Sequence, residues 1–133
     1  MPVVSELIRI EDDGTISFGN YELATKSKLQ DFEYKGDLYK VKTFHEITKL
    51  ERNGMFVYES VPGTAVNHFA VDDSEVTFAV EGNQDAQITV QLEDDREYEV
   101  FIDGIAVGGM TGKLVLSVEL NEGVRTEIRI AGR

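Results

Sequence analysis

Apolar and polar residues alternate in short runs along most of this chain, and turn-forming residues separate the runs. A period of two is typical of a β-strand with one buried and one solvated face. The alternation is cleanest at residues 76–80, 88–92, 114–120 and 128–130. The pattern predicts an all-β fold, an antiparallel β-sandwich of about nine or ten strands that is rich in hairpins.

The dipeptide Asp103-Gly104 predicts the clearest hairpin. Asp-Gly suits a type I′ turn, because aspartate tolerates positive φ and glycine adopts it freely. The turn sets Ile102 opposite Ile105 and Val100 opposite Val107, so that one face of the ribbon is apolar. The other face is mixed, and we therefore expect this hairpin to lie between two layers or beneath a loop.

Asn53-Gly54 predicts a second hairpin of the same type. The expected pairs are Leu50 with Val57, Lys49 with Tyr58, and Glu51 with Phe56. A helix over this stretch is the alternative, because Thr43 and Glu46 fit a capping box and Phe44, Ile47 and Leu50 recur at helical spacing. The β-branched residues and the short run favour the hairpin.

Further turns divide the first half of the chain. Asp12-Asp13-Gly14 and Lys35-Gly36-Asp37 each predict a hairpin, and Val61-Pro62-Gly63-Thr64 predicts a crossover between sheets. A chain of 133 residues has the size of one domain. We expect residues 1–64 to supply N-terminal hairpins and residues 65–133 to supply the main sandwich strands.

The chain is acidic, and its charge is uneven. With 13 basic and 25 acidic residues the net charge is −12, which disfavours nucleic acid and anionic membranes as partners. Residues 26–52 hold seven basic side chains, whereas residues 72–103 hold eleven acids and one arginine. The basic strip of one protomer can therefore meet the acidic surface of another, which predicts a homo-oligomer. Ordinary solvation of a small domain is the alternative.

Metal-binding and targeting signals are weak. The chain has no cysteine, and its two histidines, His45 and His68, are isolated, so we predict no zinc site and expect a hydrogen-bonded surface role for His68. The pairs Asp12-Asp13, Asp72-Asp73 and Asp94-Asp95 lack the spaced register of a calcium loop, and turn formation explains them better. No signal peptide or membrane-length run is recognisable, which predicts a cytoplasmic protein. The weak metal-binding signals lead us to expect no metal or cofactor.

No catalytic motif is recognisable either, and we predict that the protein is not an enzyme. Nucleophile elbows, phosphate loops and dinucleotide fingerprints are missing from the sequence. A glycosidase needs two facing carboxylates, but the chain lacks tryptophan, the usual platform for sugars. Tyrosines and lysines interleave over residues 32–42. The candidate ligand-binding residues are Tyr34, Tyr39, Lys40, Lys42 and Tyr58.

Three segments, residues 14–21, 36–43 and 54–66, resemble a family of small uncharacterised all-β proteins of anaerobic Gram-positive bacteria. The likeness runs the whole length of the chain. Some members carry the automatic label "endosialidase", which implies cleavage of internal bonds in polysialic acid. The sialidase Asp-box is matched here only by Asp12 and Gly14, and no arginine triad for a sialic carboxylate is recognisable. No catalytic residue is therefore transferred from the label.

The sequence thus predicts a non-catalytic binding or self-assembly module that forms a homo-oligomer. A carbohydrate-binding or glycan-hydrolysing protein is the alternative. An assembly module should bury Tyr34, Tyr39 and Tyr58 in a flat patch between protomers. A sugar-binding protein should instead expose two of these rings in a groove beside polar side chains.

Overall fold

A computed structural model describes residues 3–72, 74–92, 96–111, 114–121 and 124–132. These residues form thirteen β-strands in two antiparallel sheets, which confirms the all-β prediction. The expected number of about nine or ten strands was too low. Several strands, such as β1 and β2 with three residues each, are too short to produce a clear alternating run.

In chain order the strands are β1 (Ile8–Ile10), β2 (Ile16–Phe18), β3 (Ser27–Tyr34), β4 (Asp37–Phe44), β5 (Ile47–Arg52), β6 (Met55–Val61), β7 (Ala65–Val71), β8 (Glu75–Glu81), β9 (Ala86–Val90), β10 (Glu97–Ile102), β11 (Ile105–Thr111), β12 (Leu114–Val118) and β13 (Thr126–Gly132). The seven-stranded sheet has the order β1-β2-β7-β8-β13-β10-β11. The six-stranded sheet has the order β12-β9-β6-β5-β4-β3. Each half of the chain therefore contributes strands to both sheets.

One hydrophobic cluster takes buried side chains from both sheets. The ring of Phe18, on β2, meets the ring of Tyr58, on β6, edge to face at a centroid distance of 5.3 Å. Tyr58 meets Phe78, on β8, in the same way at 5.8 Å. Such pairs add about 0.5–1.5 kcal/mol each to the gain from burial. The inner faces of the two sheets thus share one core, and the chain crosses between them after Val61, as predicted.

The helical alternative for residues 43–50 is wrong. These residues end β4 and begin β5, and the two strands pair through a turn at His45 and Glu46. The part of the chain that the structure describes contains no helix long and apolar enough to cross a membrane.

The Asn53-Gly54 and Asp103-Gly104 hairpin turns are confirmed, but the register beyond them is not as expected. Asn53 and Gly54 have φ of 51° and 81°, and Asp103 and Gly104 have φ of 52° and 83°. Next to the turns, Glu51 pairs with Phe56 and Ile102 with Ile105, as predicted. A β-bulge then shifts the register beyond Glu51 in the first of these hairpins and beyond Phe101 in the other.

The bulges change which residues face each other. Leu50 pairs with Tyr58, and not with Val57, because β6 carries one extra residue. Lys49 accordingly pairs with Glu59. In the same way Val100 pairs with Gly108 and not with Val107. A one-residue shift exchanges the two faces of a strand, so Tyr58 turns inward with Leu50 instead of outward with Lys49.

The Asp103-Gly104 hairpin lies at a sheet edge and not between two layers. Its outer strand, β11, ends the seven-stranded sheet. Ile105 and Val107 on this strand are 68% and 55% exposed, whereas Val100 on β10 is buried. The expectation of a covered hairpin is therefore wrong, because only β10 has neighbouring strands on both sides.

Four buried side chains beside the crossover form a hydroxyl cluster, which consists of Thr43, Thr48, Ser60 and Thr64. The Thr48 hydroxyl donates to the Thr64 carbonyl at 2.7 Å and accepts the Thr64 backbone N–H at 3.1 Å. Since its one hydrogen is already used, the Thr43 hydroxyl, 2.8 Å away, must donate to it. Tyr58 and Ser60 lie 2.9 and 2.8 Å from the Thr64 hydroxyl, which completes the cluster.

Candidate functional site

The alternation of β4 divides the candidate ligand-binding residues between two faces. Tyr39 lies on the inner face of the six-stranded sheet and is almost completely buried. Lys40 and Lys42 lie on its outer face, each partly exposed. The structure therefore brings the two lysines together on one surface and separates them from the tyrosines.

The three tyrosines are turned toward the interior. Tyr58 is fully buried, and burial raises the pKa of Tyr58 well above its ordinary value. Its hydroxyl lies 2.9 Å from the Thr64 hydroxyl in the core, so no ligand outside the protein reaches it. Tyr34 and Tyr39 pack edge to face at 5.7 Å, and the Tyr34 hydroxyl donates to the Gly14 carbonyl at 2.6 Å. The rings form neither the flat patch nor the open groove that the two hypotheses require.

Tyr34 and Tyr39 line a small cavity of about 110 Å³ at one end of the core. Arg52 also lines this cavity. Burial raises the pKa of Tyr39, and the neighbouring Arg52 guanidinium opposes that shift. The arginine thus stabilises the phenol end of a mostly buried ring, which is a structural role.

The largest concentration of positive charge lies on the outer face of β3, β4 and β5. We call it the lysine face, and it consists of Lys28, Lys40, Lys42 and Lys49 on these strands and Lys26 directly before β3. Lys42 stands directly opposite Lys28 on one side and Lys49 on the other, so three lysines form a row across three strands. Neighbouring strands are separated by about 4.8 Å, which keeps these ammonium groups close together.

The lysine face holds like charges close together, so they repel one another. Partial desolvation and the charges of the four other lysines lower the pKa of Lys42. Lys49 forms one ion pair across the surface, with the Glu51 carboxylate at 3.6 Å. Like charges that stand directly opposite each other on adjacent strands destabilise a sheet. A ligand with negative charge would relieve that repulsion.

The outer face of the seven-stranded sheet carries the opposite charge. We call it the acidic face, and it consists of Glu75, Glu97, Glu99 and Glu127 on β8, β10 and β13. Arg129 lies among these carboxylates, bonded to Glu75 at 3.1 Å and placed 4.3 Å from the centre of the Phe101 ring. The two outer faces of the molecule therefore differ in the sign of their charge.

His68 belongs to a separate exposed cluster. It occupies a bulge in β7 with a φ of 54°, and its Nδ1 lies 3.0 Å from the Asp13 carboxylate. The Thr15 hydroxyl donates to the same carboxylate at 2.6 Å. Hydrogen bonds from Thr15, followed by the His68 ring, lower the pKa of Asp13. The hydrogen-bonded surface histidine that we expected is confirmed.

Metal-binding geometry is missing from the part of the chain that the structure describes, in which no three His, Asp or Glu side chains converge. His45 lies in the β4–β5 turn, with its ring next to the Leu23 carbonyl. Asp72 accepts the backbone N–H groups of Ser74 and Glu75, which is turn formation as predicted. Asp73 and the pair Asp94-Asp95 lie outside the described residues.

Lys28 and Lys49 are the members of the lysine row that the sequence reasoning missed. The signal for Lys49 was present, because a two-residue connection at His45 and Glu46 sets Lys42 opposite Lys49. The position of Lys28 was harder to infer, since a bulge shifts the register between β3 and β4. Comparisons of the chain with protein-family models, curated proteins and solved structures find no match.

Proposed function

We propose that the protein is a β-sandwich of the cytoplasm that acts as a non-catalytic binding module and assembles with copies of itself. The observation that supports this most strongly is the opposite charge of the two outer faces. Lysines cluster on the six-stranded sheet, and glutamates cluster on the seven-stranded sheet. Electrostatic complementarity of this kind steers association and fixes the orientation of the partner.

The lysine row gives the first step of the proposal. Lys28, Lys42 and Lys49 stand opposite one another at the distance between neighbouring strands. The repulsion falls mainly on Lys42, which has a lysine on each side, because Lys49 also stands opposite Glu59 and pairs with Glu51. A carboxylate-rich surface placed over the row converts repulsion into attraction, and the acidic face of a second copy is such a surface.

The contact that follows is heterologous, because two different patches meet. The lysine face of one protomer covers the acidic face of the next, and the resulting pair keeps one free face of each sign. A contact of this type either closes into a ring or continues as a filament. Its strength should decrease as salt increases, since exposed charges are screened over about 8 Å at physiological ionic strength.

Light scattering after size exclusion, over a range of protein concentration and salt, tests this proposal. We expect the mass to rise with concentration at low salt and to fall as salt is added. Lys42→Glu should abolish the salt-sensitive part of the association, because it reverses the charge at the centre of the row. Lys35→Glu is the matched control, since it makes the same change of charge in the exposed β3–β4 turn. A mass that ignores both salt and Lys42→Glu would rule out the charged-face contact.

A second candidate function is glycan binding or hydrolysis, as the endosialidase label of the resembling family implies. A surface depression of about 410 Å³ beside the lysine face favours it, because Gln30 and Lys40 line the depression and provide polar groups for a sugar. A glycan array and a polysialic acid turnover assay test this candidate. Binding that Gln30→Ala removes would support it, and two blank assays would remove it.

A further inference from the structure

The two sheets end in four edge strands, β1, β3, β11 and β12, and three of them carry features that discourage pairing with another strand. β1 has only three residues and includes Arg9. β3 carries three charged residues and a bulge, and β11 has a bulge next to Gly108, whose φ is 151°. Short length, charge and bulges are the usual protections of an edge strand.

The fourth edge strand, β12, has none of these features. Its sequence from Leu114 to Val118 contains no charged residue and no proline. Its register with β9 is regular over all five pairs. An uncharged, regular edge strand presents its outer backbone N–H and C=O groups to whatever strand can pair with them. This makes β12 the edge that is best suited to accept another strand.

The outer face of the sheet is uncharged at β12 itself, and the first acidic residue along the chain, Glu119, comes directly after the strand. On the outer face Val115 is 45% exposed and pairs with Thr89, and Ser117 pairs with Gln87. The first charged residue in the Val115 row is Glu59, two strands away on β6. The outer face of the six-stranded sheet is therefore divided into a charged half at β3, β4 and β5 and a neutral half at β9 and β12.

We propose that β12 pairs with β12 of a second copy, antiparallel about a two-fold axis. Each protomer carries a net charge of −12, so two copies repel each other wherever their charged surfaces approach. At β12 the approach brings no like charges together, because the strand opposite is the same uncharged strand. The pairing joins the two six-stranded sheets into one continuous sheet of twelve strands.

The neighbouring edge of the other sheet adds apolar contact to this interface. β1 contacts β3, and β11 and β12 are the edge strands at the opposite ends of the two sheets. Ile105 and Val107 on β11 are exposed there. A second copy paired through β12 would face these side chains as well. The contact is isologous and closes at the dimer, unlike the charged-face contact.

Light scattering at high salt separates this proposal from the charged-face contact, because salt screens the latter. We expect a mass twice that of the chain in high salt. With the two-fold axis at Leu116, residue 115 of one copy faces residue 117 of the other. The double variant Val115→Lys/Ser117→Lys should therefore give a monomer, since it places lysines opposite lysines. The matched control on the β3 edge is Gln30→Lys/Glu33→Gln, which changes the net charge equally and should remain a dimer.

Crosslinking provides a second measurement that leaves the charge of β12 unchanged. The chain has no cysteine, so Ser117→Cys introduces the only thiol. A short bismaleimide should link Ser117→Cys into dimers at high salt, and Gln30→Cys on the β3 edge should remain unlinked. A monomer at high salt across micromolar concentrations would overturn the proposal. So would a dimer that persists in the double lysine variant, or one that crosslinks only through Gln30→Cys.

Discussion

Replacement of Thr48 by valine removes the centre of the hydroxyl cluster without changing the shape of the side chain. The Thr48 hydroxyl serves three buried groups, which are the Thr64 carbonyl, the Thr64 backbone N–H and the Thr43 hydroxyl. Valine has the same size but can neither donate nor accept a hydrogen bond. Thr48→Val therefore leaves three polar groups in the core without this partner.

The magnitude follows from the number of groups affected. A buried polar group that loses its partner costs about 1–3 kcal/mol. Three such groups give about 3–6 kcal/mol if the backbone around Thr64 relaxes partly. Thr48→Ser is the control, because it keeps the hydroxyl and loses one methyl group, which costs about 0.8 kcal/mol. The difference between the two variants isolates the hydrogen bonds from the packing.

Urea unfolding followed by far-ultraviolet circular dichroism measures both variants. The free energy of unfolding is obtained by linear extrapolation, and the slope with urea must stay constant for the comparison to hold. We expect Thr48→Val to lose much more stability than Thr48→Ser. If the two variants lose equal stability with an unchanged slope, the hydroxyl cluster does not contribute as the hydrogen bonds indicate.

Three further predictions concern stability. Gly63→Ala should destabilise the protein by about 3 kcal/mol or more in urea, because a Cβ there would overlap the Phe44 carbonyl, whereas alanine at the open turn residue Gly36 should cost less. A hydrogen bond from the Ser17 hydroxyl lowers the pKa of Glu11 in the folded protein. The ionised carboxylate therefore stabilises the fold above its unfolded pKa of 4.5, and this stability is lost as the pH falls through the lower pKa of the folded state. Glu11→Gln should flatten this part of the stability profile, and an unchanged profile would contradict the pKa shift. Calcium should leave the melting temperature unchanged, and a rise that a chelator reverses would show that the acidic turns bind the ion.

The turns of this fold could be read from the sequence because their chemistry is local. Asn53-Gly54 and Asp103-Gly104 reach positive φ whatever surrounds them, and both turns form where expected. The bulges could not be read, because an extra residue in one strand depends on how that strand packs on the opposite sheet. For Tyr58 the missed bulge led to a wrong prediction of its face. The unshifted register places this core residue beside Lys49 on the surface.

The candidate site was predicted only in part for the same reason. Lys40 and Lys42 are two residues apart on one strand, so their common face follows from the strand period. Lys28 and Lys49 join them through pairing between strands, and the shift between β3 and β4 hides the first of these partners. The hydroxyl cluster is even harder to predict from the sequence, because Thr43 and Thr64 come together only after the chain has crossed between the sheets.

The separation of lysines and glutamates onto opposite outer faces gives the molecule a dipole moment across its thickness. Net charge alone would place this chain, at −12, among proteins that a cation-exchange resin does not retain. A resin, however, interacts with the surface that faces it and not with the sum over the whole molecule. At low ionic strength the protein should adsorb to a negatively charged matrix in one orientation, with the seven-stranded sheet turned toward the solvent.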